Sequence, residues 1–222
     1  MLPATLSEAA KEFSQREGVT LFMTLIAALK TLLHCYTGEG DLRVATHLAN
    51  RNRPGTEGLI APLVNTVILR TSLSGDPTSR EVMRRVRATT LAAFANQDLP
   101  FEQVVSTLDR ERGVEPASLA QVLIWLQNAA LRPIVRAGQG LCFEELDPAM
   151  LTHPAAVTAF DLMLMLRESS HGLIGTFVYK PRLFASETID RMLDHFEQVL
   201  ENMIVQPERP ISAIPVPRLR TR

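Results

Sequence analysis

The spacing of apolar and polar positions divides the chain into an N-terminal pair of helices, strand-like segments interrupted by two more helices, and a closing amphipathic helix. Thr5 and Glu8 stand at capping-box spacing, which predicts a helix from Ser7 to Arg16 ended by Gly18. Thr20 can cap a second helix from Leu21 to Tyr36. Its residues are apolar on nearly every face, so it calls for burial on several sides. Gly38 and Gly40 stop it. Leu42 to Ala49 reads as a strand, Asn50 to Gly55 as turn chemistry, and Pro62 to Leu73 as a second strand rich in Val, Ile, Leu and Thr. Thr78 and Glu81 repeat the capping-box spacing ahead of a helix to Asn96, with Val82, Met83, Val86 and Phe94 near one face. Gln97-Asp98-Leu99-Pro100 breaks that helix. A short helix from Phe101 to Leu108 follows, with Val104 and Val105 turned inward.

Glu111 to Ser118 reads as a surface loop. Gln121 to Leu126 is an apolar strand that holds the only tryptophan, Trp125. Leu141 to Leu146 reads as another strand. Phe160 to Arg167 and Leu173 to Tyr179 form a hairpin across the polar connection Glu168 to Gly172. Ser186 caps a last helix, in which Ile189, Met192, Leu193, Phe196, Val199, Leu200 and Met203 recur on one face. The tail from Gln206 holds four prolines and reads as a linker or frayed end. Helices and strands are mixed without strict alternation and without an internal repeat, which predicts an α/β sandwich built on a mixed sheet.

Composition narrows the function classes. The 222 residues are 46% hydrophobic and 21% charged, with a formal net charge of −1, and favour neither nucleic acid nor an anionic membrane as partner. The longest apolar run, Leu21 to Leu33, is broken by Lys30 and falls short of the roughly 20 residues of a membrane span. The N-terminus runs directly into a charged amphipathic segment without a secretory pattern, so a cytoplasmic protein is expected. Cys35 and Cys142 stand in no metal-like spacing and are expected to be reduced core thiols.

Common catalytic patterns are absent. His34, His47, His153, His171 and His195 are scattered, with no HExxH, and the chain has no GxSxG, GxGxxG or P-loop. His47 lies in a strand beside the Asn50 loop; it reads as a hydrogen-bonded or exposed strand histidine in preference to a general base. Arg80, Arg84 and Arg87 share one helix face, either a solvated surface or a docking patch for an acidic partner. Asp98 can cap the Phe101 helix, with Pro100 suited to its first turn. Asn65 sits inside an apolar strand, so it either pins a neighbouring loop or faces a channel. Asn128 follows a strand end where a tunnel could open. Arg51 ends a strand and calls for a carboxylate that the nearby sequence does not offer.

Several segments, in order, resemble the C-terminal lobe of nonribosomal peptide synthetase condensation domains. Gly18 to Leu25 resembles that lobe's opening helix. Val44-Ala-Thr-His-Leu-Ala-Asn-Arg-Asn-Arg53 resembles "GTPIANRNRP", and Ile60 to Arg70 resembles "IGFFVNTLVLR". Asn96-Gln-Asp-Leu-Pro-Phe-Glu-Gln-Val-Val105 resembles "HQDLPFEKLV", and Gln121 to Asn128 resembles "QVMFVLQN". Phe160-Asp161-Leu162 and the closing helix fit as well. The resemblance implies one chloramphenicol acetyltransferase-like lobe over residues 1–213, with 214–222 a linker or tail. In that family, donor and acceptor carrier proteins feed phosphopantetheine arms into a cleft between two lobes. The acceptor amine attacks the donor thioester, assisted by the second histidine of an HHxxxDG motif on the N-terminal lobe.

HHxxxDG is absent from this chain, so the resemblance implies an acceptor-side lobe without catalytic residue, metal or bound cofactor, inactive alone. Its implied partners are the N-terminal lobe and both carrier proteins, and an exposed inter-lobe face could support self-association. Arg51, Asn65, Asp98, Asn128 and Asp161 are the implied channel or inter-lobe supports, with the HHxxxDG aspartate as the partner of Arg51. Ala120 to Pro133 would cross to the other lobe, and Glu144 to Phe160 would form the cleft floor. The family's "RDxSRNPLFQ" retains little beyond Arg112, Leu119 and Gln121, and two glycines found elsewhere in the family pattern are Ala45 and Ala61 here. The altered segment points to an alternative, a non-catalytic condensation-like module that docks a carrier protein. An epimerization or cyclization relative of the same fold is a third reading.

Overall fold

Two threonines set the helix starts that position the rest. Thr20 accepts a hydrogen bond from the Met23 amide and Thr78 one from the Glu81 amide, each satisfying a donor with no partner inside its helix. The computed structural model describes residues 2–51, 53–56, 58–112, 119–127, 160–169 and 172–216. Among these, α1 (Ala4–Arg16) and α2 (Leu21–Thr37) precede β1 (Asp41–Leu48) and β2 (Asn65–Ser72). Then follow α3 (Ser79–Ala95), α4 (Phe101–Arg112), β3 (Val122–Gln127), β4 (Leu162–Ser169), β5 (Gly172–Tyr179) and α5 (Ser186–Val205). The five strands form one mixed sheet in the order β2-β1-β3-β4-β5. β1 and β3 run parallel, as do β3 and β4, while β2 and β5 pair antiparallel at the two edges. This is the predicted mixed-sheet α/β sandwich.

Helix α2 is the centre of the packing. All ten residues from Met23 to Leu32 are buried, as expected of a helix without a polar face. Gly38 ends it in the left-handed region, at φ 76°, which glycine adopts without a Cβ clash. Leu42, Val44, Leu69, Ile124, Leu164 and Leu166 point from the sheet into the core shared with the helices. Alternation along the strands sends Ala45, Leu123, Trp125 and Met163 to the other face, where Ala120 and Phe160 join them. β3 is therefore buried on both faces, and Leu123 and Ile124 are both fully inaccessible.

The structure corrects several predicted boundaries. α1 begins three residues earlier, after Pro3, and no side chain caps it. Thr5 lies inside the helix, because the Leu2 amide donates to the Leu173 carbonyl and ties this end of the chain to β5. Ser186 is the first helical residue of α5 and not its cap. α4 runs on to Arg112, so Glu111 is helical and not loop. The tail is packed through Val216. The Ile211 amide donates to the Pro77 carbonyl, Ile211 is fully buried, and Ile214 is 5% exposed. The strand predicted at Leu141 to Leu146 lies outside the described residues, as do Cys142, His153, His171 and residues 217–222. Cys35 is half-buried and forms no disulfide.

One residue breaks the apolar pattern of α2. Lys30 is fully buried, and its Nζ donates to the Leu69 carbonyl at 2.7 Å and to Thr71 Oγ1 at 2.6 Å. Thr71 in turn donates to Thr89 of α3 at 3.3 Å, so the amine joins α2, β2 and α3. Burial lowers its pKa from an ordinary 10.5 to about 7, against a weaker opposing pull from Asp41. Below about pH 7 both the folded and unfolded chains carry this proton. Between about 7 and 10.5 only the unfolded chain keeps it, so the unfolded chain binds more protons and stability rises with pH. In denaturant titrations from pH 6 to 10, wild type is expected to gain up to ~1.4 kcal/mol per pH unit relative to Lys30→Met. Parallel pH curves for the two proteins would contradict the buried, neutralising amine.

Candidate functional site

The carboxyl ends of parallel β1 and β3 point to the same edge of the sheet, and β2 begins there because Asn65 pairs with Leu48. Edges of this kind collect binding groups in α/β proteins, since the connecting loops diverge there and leave a crevice. A cavity of about 320 Å³ opens at this edge between the strand ends, the first turn of α2 and the last turn of α3. Phe22, Phe94, His47 and Trp125 supply its aromatic walls, with Leu48 and Leu126 beside them.

Asn65 is the organiser of the adjoining corner. Its Nδ2 donates to the carbonyls of Gln97 and Leu99 at 2.7 and 2.9 Å. Its Oδ1 accepts from the amides of Thr66 and Phe101 at 2.9 and 3.1 Å. Of the two roles open to it from sequence, the geometry realises the first: it pins the turn between α3 and α4. The cap predicted from Asp98 is therefore supplied by Asn65, which receives the leading amide of α4. The Asp98 carboxylate is turned to Arg53 at 2.9 Å, an exposed ion pair of small energetic weight.

Arg51 stands where the chain leaves β1. Its guanidinium donates to the carbonyls of Thr56, Leu59 and Ala61 at 2.6, 2.8 and 3.3 Å and so draws these three residues around itself. Its charge is met by carbonyl dipoles, which explains how it is accommodated without a nearby carboxylate in sequence. Asp161 sits at the opposite edge of the sheet, where its carboxylate accepts from Lys180 Nζ at 2.7 Å and joins the start of β4 to the end of β5. Asn128 lies outside the described residues, one position beyond Gln127, where β3 ends. Arg51, Asn65 and Asp98 thus share one end of the molecule and Asp161 does not. The Arg80, Arg84 and Arg87 face is taken up by partners within the chain. Arg80 meets Glu17 and Glu208, Arg84 meets Glu81, and Arg87 donates to the Gly18 carbonyl.

His47 is half-buried on the sheet face opposite the main core. Its Nδ1 shares a hydrogen bond with Thr66 Oγ1 at 3.1 Å, and its ring meets Trp125 edge-on at 5.9 Å between centroids. Burial lowers its pKa below the usual histidine value, so the neutral ring is the dominant form near neutrality. Among the described residues no carboxylate orients it, which agrees with the strand-histidine reading and not with a base poised to take protons. Sequence reasoning missed the cavity itself, along with Phe22 and Phe94. The signal was present in the two helix ends that carry these rings, but only the parallel pairing of β1 with β3 brings His47 to Trp125. Among the described residues, no cluster of three His, Cys, Asp or Glu side chains is arranged to hold a metal.

Residues 1–219 match the family described as Condensation domain. The chain is 40% identical over 214 residues to a linear gramicidin synthase of Brevibacillus parabrevis, a match covering 96% of this chain and 3% of that protein. It superposes on the condensation domain of the Monacolin K polyketide synthase MokA with a TM-score of 0.80 at 17% identity, covering 95% of this chain and 47% of that one. The X-domain from teicoplanin biosynthesis gives 0.76 at 26% identity, covering 97% and 48%. The chain spans a few per cent of the gramicidin synthase and about half of each solved domain.

Asn65→Ala removes four hydrogen bonds at the corner and is expected to cost about 1–3 kcal/mol of unfolding free energy. Hydrogen exchange should speed most at the Thr66 and Phe101 amides. Unchanged protection at those two amides would show that the corner is held by other contacts.

Proposed function

The chain belongs to the condensation-domain family of nonribosomal peptide synthetases, and from this premise we propose that it is the acceptor-side, C-terminal lobe of such a domain. The observation that carries the reading is the aromatic cavity at the β1 and β3 ends, beside the corner pinned by Asn65, in a chain about half as long as the solved domains it matches. In the proposed reaction, an amine on an acceptor carrier protein attacks the thioester carbon on a donor carrier protein. A C–N bond forms, the C–S bond breaks, and the donor phosphopantetheine leaves as a thiol. The amine proton passes by way of a histidine of the HHxxxDG motif, which this chain does not contain, to the leaving sulfur. This lobe supplies shape: it confines the acceptor arm and holds one wall of the cleft while the other lobe handles the proton. Asn65, Asp98 and Arg51 fix that wall, and Asp161 ties the far edge of the sheet; a role for Asn128 rests on the sequence resemblance alone.

A second reading, a non-catalytic module that docks a carrier protein, draws on the altered 112–121 segment, which keeps little beyond Arg112, Leu119 and Gln121 of the family pattern. Reconstitution separates the two. Mixed with a matching N-terminal lobe and two loaded carrier proteins, the chain is expected to yield a dipeptidyl thioester detectable by mass spectrometry, and none when that lobe is omitted. Carrier binding without product would favour the docking module, and turnover by the chain alone would refute the assignment of proton transfer to the other lobe. Arg51→Ala releases the carbonyls of Thr56, Leu59 and Ala61 and is expected to weaken association with the N-terminal lobe by roughly tenfold, read by calorimetry. An unchanged affinity would remove Arg51 from the inter-lobe surface.

A further inference from the structure

Phe22 and Phe94 stack with their ring centroids 6.3 Å apart and an interplanar angle of 26°. His47 and Trp125 meet nearly perpendicular, at 82°. Between these walls the 320 Å³ cavity lies near the lower end of the ~300–1,000 Å³ range of small-molecule sites, which suits one ring or a short branched chain. Aromatic walls in these orientations favour an aromatic or alkyl occupant.

Thr20, Thr46 and His47 are the polar side chains of the lining; Thr20 is already engaged as the cap of α2, Thr46 is buried in β1, and His47 carries the ring nitrogens. One nitrogen of His47 is engaged by Thr66, and the ring makes no further hydrogen bond among the described residues. A neutral imidazole has one donor and one acceptor nitrogen, so the nitrogen left over can do only one of the two. A hydroxyl both donates and accepts, and therefore satisfies the ring in either tautomer. A carboxylate or an ammonium suits only one tautomer and would lose its hydration against apolar walls. By contrast, the cavity of about 340 Å³ at the other end of the same strands holds Asp41, whose carboxylate is already bound by Arg70 at 2.7 Å.

We propose that the aromatic cavity binds an aromatic or alkyl group ending in a hydroxyl, a phenol being the best fit, with His47 as its hydrogen-bond partner. Resting on the lobe reading above, that group is the side chain of the acceptor aminoacyl thioester, and His47 is a specificity-determining residue.

Trp125 is the only tryptophan, so its indole N–H gives one isolated signal in a proton–nitrogen NMR spectrum of the full chain. Titration with p-cresol and with toluene is expected to shift that signal saturably, with p-cresol binding about five- to tenfold more tightly. His47→Phe should bring p-cresol down to the affinity of toluene, and His47→Gln, which keeps a donor and an acceptor, should retain most of the preference. Phe94→Ala should weaken both ligands. The proposal is overturned if p-cresol gives no saturable shift in the folded chain, if wild type binds both ligands equally, or if His47→Phe keeps the preference. These are binding measurements on the chain alone, so they separate from the reconstitution assay. Binding with no dipeptide upholds the cavity and refutes the lobe reading, while dipeptide with no binding does the reverse.

Discussion

Helix α2 has no polar face, and the need to bury it on every side governs the rest of the architecture. The sheet covers one side of it, while α3 and α5 pack along others. Removing so much apolar surface from water is the main stabilising term available to a chain of this composition. Burying Lys30 with that surface adds a desolvation cost. The amine sheds its hydration, its pKa falls, and a carbonyl and a hydroxyl take the place of water. The same contacts connect α2, β2 and α3 and so hold in place the two helix ends that carry Phe22 and Phe94.

From that packing the site follows by geometry. β1 and β3 lie parallel, so their carboxyl ends and the residues leaving them converge on one edge of the sheet. Two different means stiffen that edge. Arg51 gathers the carbonyls of its own loop, and Asn65 uses both ends of its amide to clamp a corner more than thirty residues away in sequence. Both solve the problem of irregular backbone beside a cavity, where donors and acceptors need partners other than a ladder or a helix. The site that results is rigid, aromatic and poor in ionisable groups. Such a surface offers shape and apolar contact more than groups able to move a proton.

Much of this was legible in the sequence because it depends on short-range chemistry. The threonine caps at Thr20 and Thr78, the Gly38 stop, the apolar α2 and the periodic face of α5 all involve residues within a few positions of each other. The family resemblance was carried by contiguous motifs. Local rules misjudged α1, where Thr5 had the right spacing, because a backbone hydrogen bond from Leu2 to β5 draws the helix start forward. They misjudged the proline-rich tail for the same reason: Ile211 and Ile214 are held by the core and by Pro77, over a hundred residues earlier.

The sequence alone determined the class of fold, most of its elements, the family and the absence of HHxxxDG, because each is written in adjacent or regularly spaced residues. It also marked Arg51, Asn65 and His47 as polar groups in need of partners. Only the tertiary structure decided who those partners are. Within the chain Arg51 took the carbonyls of Thr56, Leu59 and Ala61, and Asn65 took the cap predicted for Asp98. His47 took Thr66 across an antiparallel pair and Trp125 across a parallel one. The physical reason is that strand order and register place residues far apart in the chain within 3 to 6 Å of each other, and neither order nor register is encoded in any local window.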